Sequence, residues 1–433
     1  MRPSGEDEPD VQPARRSQVS AFVRRAVLDL TPLRTSRDYR LLWLGELVSH
    51  TGRHITVVAL PFQVYQLTRS PLAVGLIGLA QVVPLIAFSL LGGAMADRVD
   101  RRRLLIVSQL GLAATSLLLV GGALARDPPV WTLYAIAAIS SGFSAIDSPA
   151  RSAAIPNLVG REELASAIAL NQVVMQVSDV AGPALGGLII ARFGLVWAYG
   201  IDALTFAAAI LALLAMRPMP PQREGPTIPV MASIREGFAY LKGRRVLQST
   251  FLVDLNAMIF GMPQALFPVL AAETFHVGPA GLGLLYAAPA AGALLGALLT
   301  GWVRHVRHQG RAVLWSVTVW GLAIVAFGLS TGEFWLALGF LAIAGAADVI
   351  SAIFRATILQ ATVPDSLRGR LSAIHITVVV GGPRLGDVEA GLVAQLTSPL
   401  FSVISGGAAC VVGVAALALA VPKFARYHAG EPA

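Results

Sequence analysis

The stretch Gly92-Gly-Ala-Met-Ala-Asp-Arg-Val-Asp-Arg-Arg-Arg103 lies between two apolar segments of the chain. A degenerate copy, Gly301-Trp-Val-Arg-His-Val-Arg-His-Gln-Gly-Arg311, follows 208 residues later, and Asp97 of the first copy is replaced by a histidine in the second. The same offset aligns Glu46 with Asp254. A repeated arginine-rich turn between apolar segments predicts a membrane protein built from two similar halves.

Composition supports this interpretation. Of the 433 residues, 55% are hydrophobic and only 13% are charged, and the mean hydropathy is +0.68. Runs of about 20 apolar residues are long enough to cross a bilayer as helices. We therefore predict an all-α integral membrane protein with twelve transmembrane helices in two pseudo-symmetric six-helix halves. The twelve predicted spans are 40–66, 72–96, 102–125, 130–150, 163–191, 194–216, 247–273, 279–303, 311–330, 334–361, 367–396 and 399–421.

The domain organisation follows from these spans. We expect an N-terminal tail (1–36), a first bundle (37–216), a linker (217–246), a second bundle (247–422) and a C-terminal tail (423–433). Within the linker, Ile234, Phe238 and Leu241 have the spacing of an apolar helix face, which predicts a short helix on the membrane surface.

The distribution of positive charge predicts the orientation. If both termini are cytoplasmic, 28 of the 33 Lys and Arg residues lie on the cytoplasmic side, and the outer loops keep only Arg69, Arg126 and Arg192. This asymmetry is the positive-inside pattern. The net charge of +8 therefore reflects topology and contact with anionic lipids, not a nucleic-acid partner. The single cysteine, Cys410, permits no intrachain disulfide.

The motifs identify a family resemblance. Segment 92–103 is similar to the signature of the loop between spans two and three in the major facilitator superfamily. Ser178-Asp-Val-Ala-Gly-Pro-Ala-Leu-Gly-Gly187 resembles the Gly-Pro-x-x-Gly-Gly signature of its proton-coupled exporters. The chain most resembles the drug:proton antiporter branch that contains the bacterial enterobactin (siderophore) exporter and macrolide efflux pumps. Segments 156–164, 197–206 and 283–292 carry that resemblance.

The resemblance assigns roles to the two motifs. In the loop motif, Gly93, Asp97, Arg98, Arg101 and Arg102 are expected to gate the transporter, with Asp97 meeting the N-terminus of span eleven. Topology alone could also account for the arginines. In span five, the motif residues are Gly182, Pro183, Gly186 and Gly187. Their small side chains predict close helix packing, and the resemblance implies a tight seam that favours export.

Ionisable residues inside the spans are the candidates for coupling, because a charge buried in hydrocarbon is costly and usually functional. We select Glu46, Asp254 and Asp348 as proton-coupling candidates, with His50 or His54 as a relay. A structural ion pair with Arg53 or Arg384 is the alternative role for these acids. Flanking Asp179 and Asp202 are interpreted as packing contacts.

Substrate charge stays open at this point. The substrate-cavity candidates are Arg53, Asp147, Asn256 and Arg384. An arginine in the cavity favours an anionic or zwitterionic substrate, whereas the acids favour a cation. His50 and His54 have the spacing of a helical metal site, but Arg53 intrudes between them and no cysteine is near, so we expect no metal and no cofactor.

These observations predict a monomeric, multi-pass exporter of the bacterial inner membrane that moves a small amphipathic compound outward in exchange for protons. The partners are the substrate, protons and membrane lipids. An uptake symporter of the same fold is the nearest alternative. A polytopic membrane enzyme is a weaker one, because the chain has no Walker loop, nucleophile elbow or His-Glu-x-x-His motif. A non-transporting scaffold would leave the buried acids unexplained.

Overall fold

The computed structural model describes residues 29–96, 98–125, 127–220 and 230–428, and these residues are almost entirely helical. Twelve long helices lie within them. In chain order they are α1 (Arg37–Thr68), α2 (Pro71–Ala96), α3 (Arg101–Leu124), α4 (Val130–Leu158), α5 (Leu164–Phe193), α6 (Leu195–Leu214), α7 (Arg245–Phe260), α8 (Gly278–Leu298), α9 (Gln309–Leu329), α10 (Phe334–Thr362), α11 (Asp365–Leu396) and α12 (Pro399–Ala420).

The predicted spans are confirmed as helices, and two of them differ from the other ten in composition. Ten spans are long and apolar enough to cross a membrane by length and composition. The other two are α1 and α11, which carry charged side chains such as Glu46 and Arg384 in mid-helix. On outer faces, leucines are exposed, with Leu298 at 74% and Leu419 at 82%. This distribution turns apolar surface toward lipid.

The helix pairing repeats between the two halves. In the first half, α1 packs on α5 and α6, α2 packs on α4, and α3 packs on α4 and α6. In the second half, α7 packs on α11 and α12, α8 packs on α10, and α9 packs on α10 and α12. The five pairings are the same when each helix number is raised by six. The 208-residue repeat therefore corresponds to a repeated six-helix bundle.

Each bundle has two ends, which we name by the linker. The linker end carries the described parts of the segment that joins α6 to α7 (215–220 and 230–244), together with the α2–α3 and α8–α9 turns. A helix is observed there at Val230–Leu241, covering the residues for which the sequence predicted one. The far end carries the short α1–α2 and α5–α6 connections and the longer α7–α8 connection (261–277). Exposed tryptophans Trp131, Trp197 and Trp335 lie near helix starts at the far end, where aromatic side chains mark a membrane interface.

The seventh span is not the continuous helix that 247–273 predicts. Helix α7 ends at Phe260, and the chain continues through a 3₁₀ turn at Gln264–Leu266 and a π-turn at Leu270–Thr274. Pro263 lacks an amide hydrogen and prevents a regular continuation. Freed backbone groups find side-chain partners: Trp320 Nε1 donates to the Gly261 carbonyl at 2.8 Å, and the Ala265 amide donates to Asp387 at 3.1 Å. The break is therefore held in place.

The halves meet along two seams, α2 with α11 and α5 with α8. Ser70 donates to Gln395 at 2.7 Å across the first seam. In the second, a Cβ placed on Gly187 would lie 2.8 Å from the Gly283 Cα, so the backbones touch. The Tyr65 hydroxyl also donates to Glu273 across the halves. These contacts lie toward the far end, so the structure is closed at the far end.

Candidate functional site

A cavity of about 560 Å³ lies between the two halves. Its wall includes the residues of the α7 break, and its apolar part is formed by aromatic and small residues including Phe267, Tyr286 and Trp320. The ionisable side chains on the wall are His54, Asp179, Asp348 and Arg384. Such a cavity suits a ligand with both apolar and charged parts. Binding sites at discontinuous helices between repeats are common in transporters.

Behind the cavity wall of the first half lies an acid–arginine–acid triad formed by Glu46, Arg151 and Asp147. Arg151 Nη2 lies 2.9 Å from Asp147 Oδ2, and Arg151 Nε lies 3.6 Å from Glu46 Oε1. The other Asp147 oxygen accepts from Ser108 at 2.7 Å and Gln109 at 3.0 Å. All three triad side chains are buried. Both Asp147 oxygens thus accept hydrogen bonds from buried side chains.

The second half contains an equivalent triad formed by Asp254, Arg355 and Asp348. Arg355 Nη2 lies 2.8 Å from Asp254 Oδ1 and 3.8 Å from Asp348 Oδ1. Arg151 and Arg355 each lie seven residues before the last residue of their helices, α4 and α10. The triads therefore occupy matching depths in the two bundles.

The second triad has a further member and an incomplete set of donors. His375 of α11 approaches, with Nδ1 3.8 Å from Asp254 Oδ2. Both Asp254 oxygens and Asp348 Oδ1 are buried and accept no directed hydrogen bond from the described residues. Asp254 is fully buried, whereas the Asp348 side chain is 26% exposed and faces the cavity. Asp348 thus connects the cavity with the buried Asp254–Arg355 pair.

The histidines of α1 differ from each other in their contacts. His54 Nε2 lies 3.0 Å from Asp179 Oδ1 on α5, and both residues line the cavity. Asp179 therefore contacts α1, as its interpretation as a packing residue implied, and it also lines the cavity. His50 Nε2 lies 2.6 Å from an Arg53 guanidinium nitrogen. Ligand atoms of His50, His54 and Asp179 lie within 4.8 Å of one another, but Arg53 already donates to one His50 nitrogen.

Three of the four substrate-cavity candidates lie elsewhere. Asp147 is buried among Ser108, Gln109 and Arg151, as described above. Asn256 faces α12, where its amide donates to the Cys410 carbonyl at 2.9 Å. Arg53 lies between α1 and α4 and donates to Ser144 at 3.2 Å. Helical periodicity correctly placed these residues inside the bundle but could not tell which neighbouring helix each one faces.

Arg384 is the candidate that does line the cavity. Its side chain is 34% exposed, and Nη1 lies 3.9 Å from Asp387 Oδ2, one turn along α11. Asp202 behaves as the sequence suggested, because it accepts from Thr56 at 2.6 Å and Ser116 at 2.7 Å within the first bundle.

The loop motif between α2 and α3 is described in part. Asp97 lies outside the described residues, and Gly93 lies in the last turn of α2. Arg98 is exposed. The Arg101 amide donates to the Met219 carbonyl at 3.0 Å. Arg102 donates to the Leu213 and Leu214 carbonyls at 2.7 and 2.6 Å, so it caps the C-terminus of α6 where unpaired carbonyls gather.

The glycines of the α5 motif allow backbone contact on two sides. A Cβ on Gly186 would lie 3.0 Å from the Ile55 Cα, and one on Gly182 would meet Thr51 and His54, all on α1. Gly187 and Pro183 instead face Gly283 of α8 in the other half. The predicted close packing is confirmed, and it serves both the bundle and the seam. In α11, Gly382 and Gly386 pack on α7 at Met258 in the same manner.

The sequence reasoning did not pair Glu46 with Arg151, and it missed Arg355 and His375 as partners of Asp254. A signal was present, since Arg151 follows Asp147 by one helical turn and Arg355 follows Asp348 by two. Both arginines lie near helix ends, where charge is usually attributed to topology.

The twelve helices, the repeated bundles and the central cavity define a transporter of the major facilitator fold. Solved structures agree: the nucleoside transporter NupG matches with a TM-score of 0.75 and 13% identity, covering 89% of this chain and 99% of NupG. A bacterial homologue of the human lysosomal transporter Spinster, in an inward-facing and unoccupied conformation, matches with a TM-score of 0.69 and 15% identity, covering 90% and 95%.

Sequence comparison identifies the family. The chain belongs to the transmembrane secretion effector family of the major facilitator superfamily, whose profile matches residues 28–430. It is 30% identical to the enterobactin exporter EntS of Citrobacter koseri, covering 94% of this chain and 97% of that protein. It is 28% identical to EntS of Shigella boydii, with the same coverage. The chain is a multi-pass membrane transport protein.

Proposed function

We propose that the protein exports a small amphipathic compound, drug-like or siderophore-like, in exchange for protons by alternating access. One observation carries the proposal: the central cavity combines an aromatic wall with ionisable groups from both halves, and contacts between the halves close it at the far end. Family membership supports the export direction, and two relatives are named as exporters of enterobactin.

Alternation requires the two halves to rock about the cavity. In the present conformation the seams hold the far end together. Opening the far end must separate α5 from α8 and α2 from α11, while the linker ends approach each other. The five repeated helix pairings keep each bundle rigid, so the motion is concentrated at the seams.

Proton exchange supplies the energy in this proposal. Buried acids in both halves are candidate proton-binding sites. Each proton that moves down the potential yields about 2.3 kcal/mol per 100 mV. A substrate can thus be moved outward against its own gradient.

We also propose which end of the protein faces the cytoplasm. The linker end carries Arg98, Arg101, Arg102, Arg307 and Arg311, whereas the described far end carries Arg69 and Arg192. We place the linker end and both termini in the cytoplasm of a bacterial inner membrane, following the positive-inside pattern. The far-end-closed conformation then faces the cytoplasm.

Inverted membrane vesicles test the proposal, with enterobactin as the first probe. We expect vesicles that contain the protein to accumulate enterobactin when the lumen is acidic, because outward-moving protons drive the substrate inward. Vesicles without the protein are the control. Accumulation that persists unchanged after a protonophore collapses the gradient would falsify proton antiport.

The same experiment separates the uptake symporter. A symporter moves substrate and protons in one direction, so an acidic lumen would drive preloaded enterobactin out of the vesicles. The sign of the flux therefore decides between the two mechanisms without further assumptions. Macrolides and cationic dyes, tested in the same way, extend the substrate range.

A further inference from the structure

The two triads differ in the group that balances their extra negative charge. Each triad has two acids and one arginine. In the first half the additional cation is Arg53, whose guanidinium bonds to Ser144, one turn before Asp147 on α4. The position 208 residues after Arg53 is Gly261, which supplies no charge. The second triad instead has His375, 3.8 Å from Asp254.

The charge of the two clusters therefore responds differently to protons. With Arg53, the first cluster holds two acids and two arginines, so its formal charge is zero when both acids are ionised, and arginine does not lose its proton. The second cluster has a net charge of −1 when His375 is neutral and zero when His375 is protonated. An unbalanced charge is costly in a buried site, so one proton stabilises the second cluster only.

Other groups near His375 do not provide this balance. Phe251 of α7 packs edge-on against the imidazole, with ring centroids 5.9 Å apart. Arg384, further along α11, lies near its own acid, Asp387. Among the described side chains, the charged groups that face His375 are Asp254 of α7 and, behind it, Asp348 and Arg355 of α10.

We propose that His375 together with the Asp254–Arg355–Asp348 triad is the proton-binding site of the transporter, taking one proton per cycle, and that the first-half triad is structural. This inference rests on the proposed proton antiport and names its site. The proton therefore binds at one cluster in the second half and not at Glu46 in the first half.

The position of the cluster suits exchange with the cytoplasm in the present conformation. His375 lies ten residues from the start of α11 and Asp254 nine from the start of α7, so both lie about 14–15 Å from the linker end. Substrate entering the cavity meets Asp348, the exposed member. A substrate group that carries positive charge or donates a hydrogen bond to Asp348 stabilises the ionised carboxylate in place of the proton. The His375 N–H proton then leaves to water at the linker end.

After the halves rock, the sequence reverses. Substrate departure to the far side leaves Asp348 uncompensated, and His375 takes a proton from that side. The cluster is again neutral and the halves can return. The cluster is thus stabilised by either the proton or the substrate in turn, and antiport requires such mutually exclusive binding.

Two transport measurements in liposomes of the full chain test the inference, with enterobactin as the probe. Exchange of labelled for unlabelled enterobactin without a gradient reports binding and rocking. Accumulation driven by a pH gradient reports coupling. For His375→Gln and His375→Arg we expect exchange within about twofold of the parent and at least a roughly tenfold loss of driven accumulation. His276→Gln, an exposed far-end histidine, is the matched control and should behave as the parent.

The outcomes separate the two proposals. If the parent exchanges enterobactin but shows no driven accumulation, the antiport proposal fails and this inference fails with it. If the parent is driven and the His375 variants are driven equally well, only this inference is overturned. It is also overturned if both variants lose exchange together with coupling, because His375 is then a structural residue. His375→Arg keeps the cluster neutral and should therefore fold, so a loss of exchange in that variant would not be caused by misfolding.

Discussion

Substituting Gly283 by alanine should shift the transporter away from the conformation closed at the far end. A Cβ at this position would lie 2.5 Å from the Pro183 carbonyl oxygen and 2.8 Å from the Gly187 Cα. Ordinary contacts begin at 3.4 Å, so α5 and α8 must separate by about 0.5–1 Å to accept the methyl group. Both opposing atoms are backbone, and no side chain can turn away.

The magnitude follows from the cost of overpacking. Forcing an extra methyl group into a packed interface costs about 1–3 kcal/mol, which corresponds to roughly a 5- to 150-fold change in an equilibrium between two conformations. The cost applies only while the seam is closed. Alanine also favours the helix by about 0.5–1 kcal/mol relative to glycine, but that gain is the same in both conformations and cancels.

Double electron–electron resonance measures the shift. The single cysteine, Cys410, is buried and is replaced by alanine, and spin labels are placed at Asp127→Cys and Thr331→Cys. These two positions are exposed and lie in far-end loops of opposite halves. We expect Gly283→Ala to increase the population with the longer distance.

Gly339→Ala is the matched control, since a Cβ on Gly339 of α10 meets nothing within 4 Å. A distance distribution for Gly283→Ala identical to that of Gly339→Ala would refute the reasoning. The α5–α8 contact would then play no part in the conformational balance.

Three further predictions concern stability. Arg355→Gln should lower stability by about 3–5 kcal/mol because it leaves buried acids without their cation, and Arg355→Gln combined with Asp254→Asn should recover part of that loss in thermal unfolding. Trp320→Phe should cost about 1–3 kcal/mol through the unpaired Gly261 carbonyl, whereas Trp315→Phe, at a position that is 69% exposed, should be nearly neutral. Hydrogen bonds from the Thr31 side chain and amide and from Ser166 lower the pKa of Asp29. The stabilisation that ionised Asp29 provides is present above its unfolded-state pKa and is lost as pH falls through its folded-state pKa. Hydrogen exchange in 29–35 should therefore rise in acid, and Asp29→Asn should remove that pH dependence.

Much of the fold could be predicted because the bilayer imposes a strong rule. Apolar runs of about 20 residues must be helices in lipid, and the observed bounds lie close to those predicted from hydropathy. The exceptions have local causes. Span four continues past the predicted end at 150 to Leu158, because Arg151 is buried by its own ion pairs and does not end the helix. Span seven breaks because Pro263 cannot donate a backbone hydrogen bond.

The site was less predictable because side-chain partners depend on helix rotation. Glu46 and Asp254 were identified from the repeat, but their arginine partners come from α4 and α10, more than 100 residues away in sequence. Asn256 shows the same limit, since it lies two residues from Asp254 and yet faces α12. A residue's depth can be read from its distance to a helix end, whereas its neighbours require the packing of all twelve helices.

The duplication also shows where the two halves diverged. In a structure with a pseudo-two-fold axis between its halves, equivalent residues near the axis face each other. Tyr65 and Glu273 are such equivalents, one repeat of 208 residues apart, and the tyrosine hydroxyl donates to the carboxylate. Two tyrosines could share that bond, but two glutamates would repel. Away from the axis the constraint differs: Glu46 and Asp254 each face their own bundle, so both acids could be kept. The pair Arg53 and Gly261 fits neither case, and in our proposal its divergence leaves only the second cluster dependent on a proton.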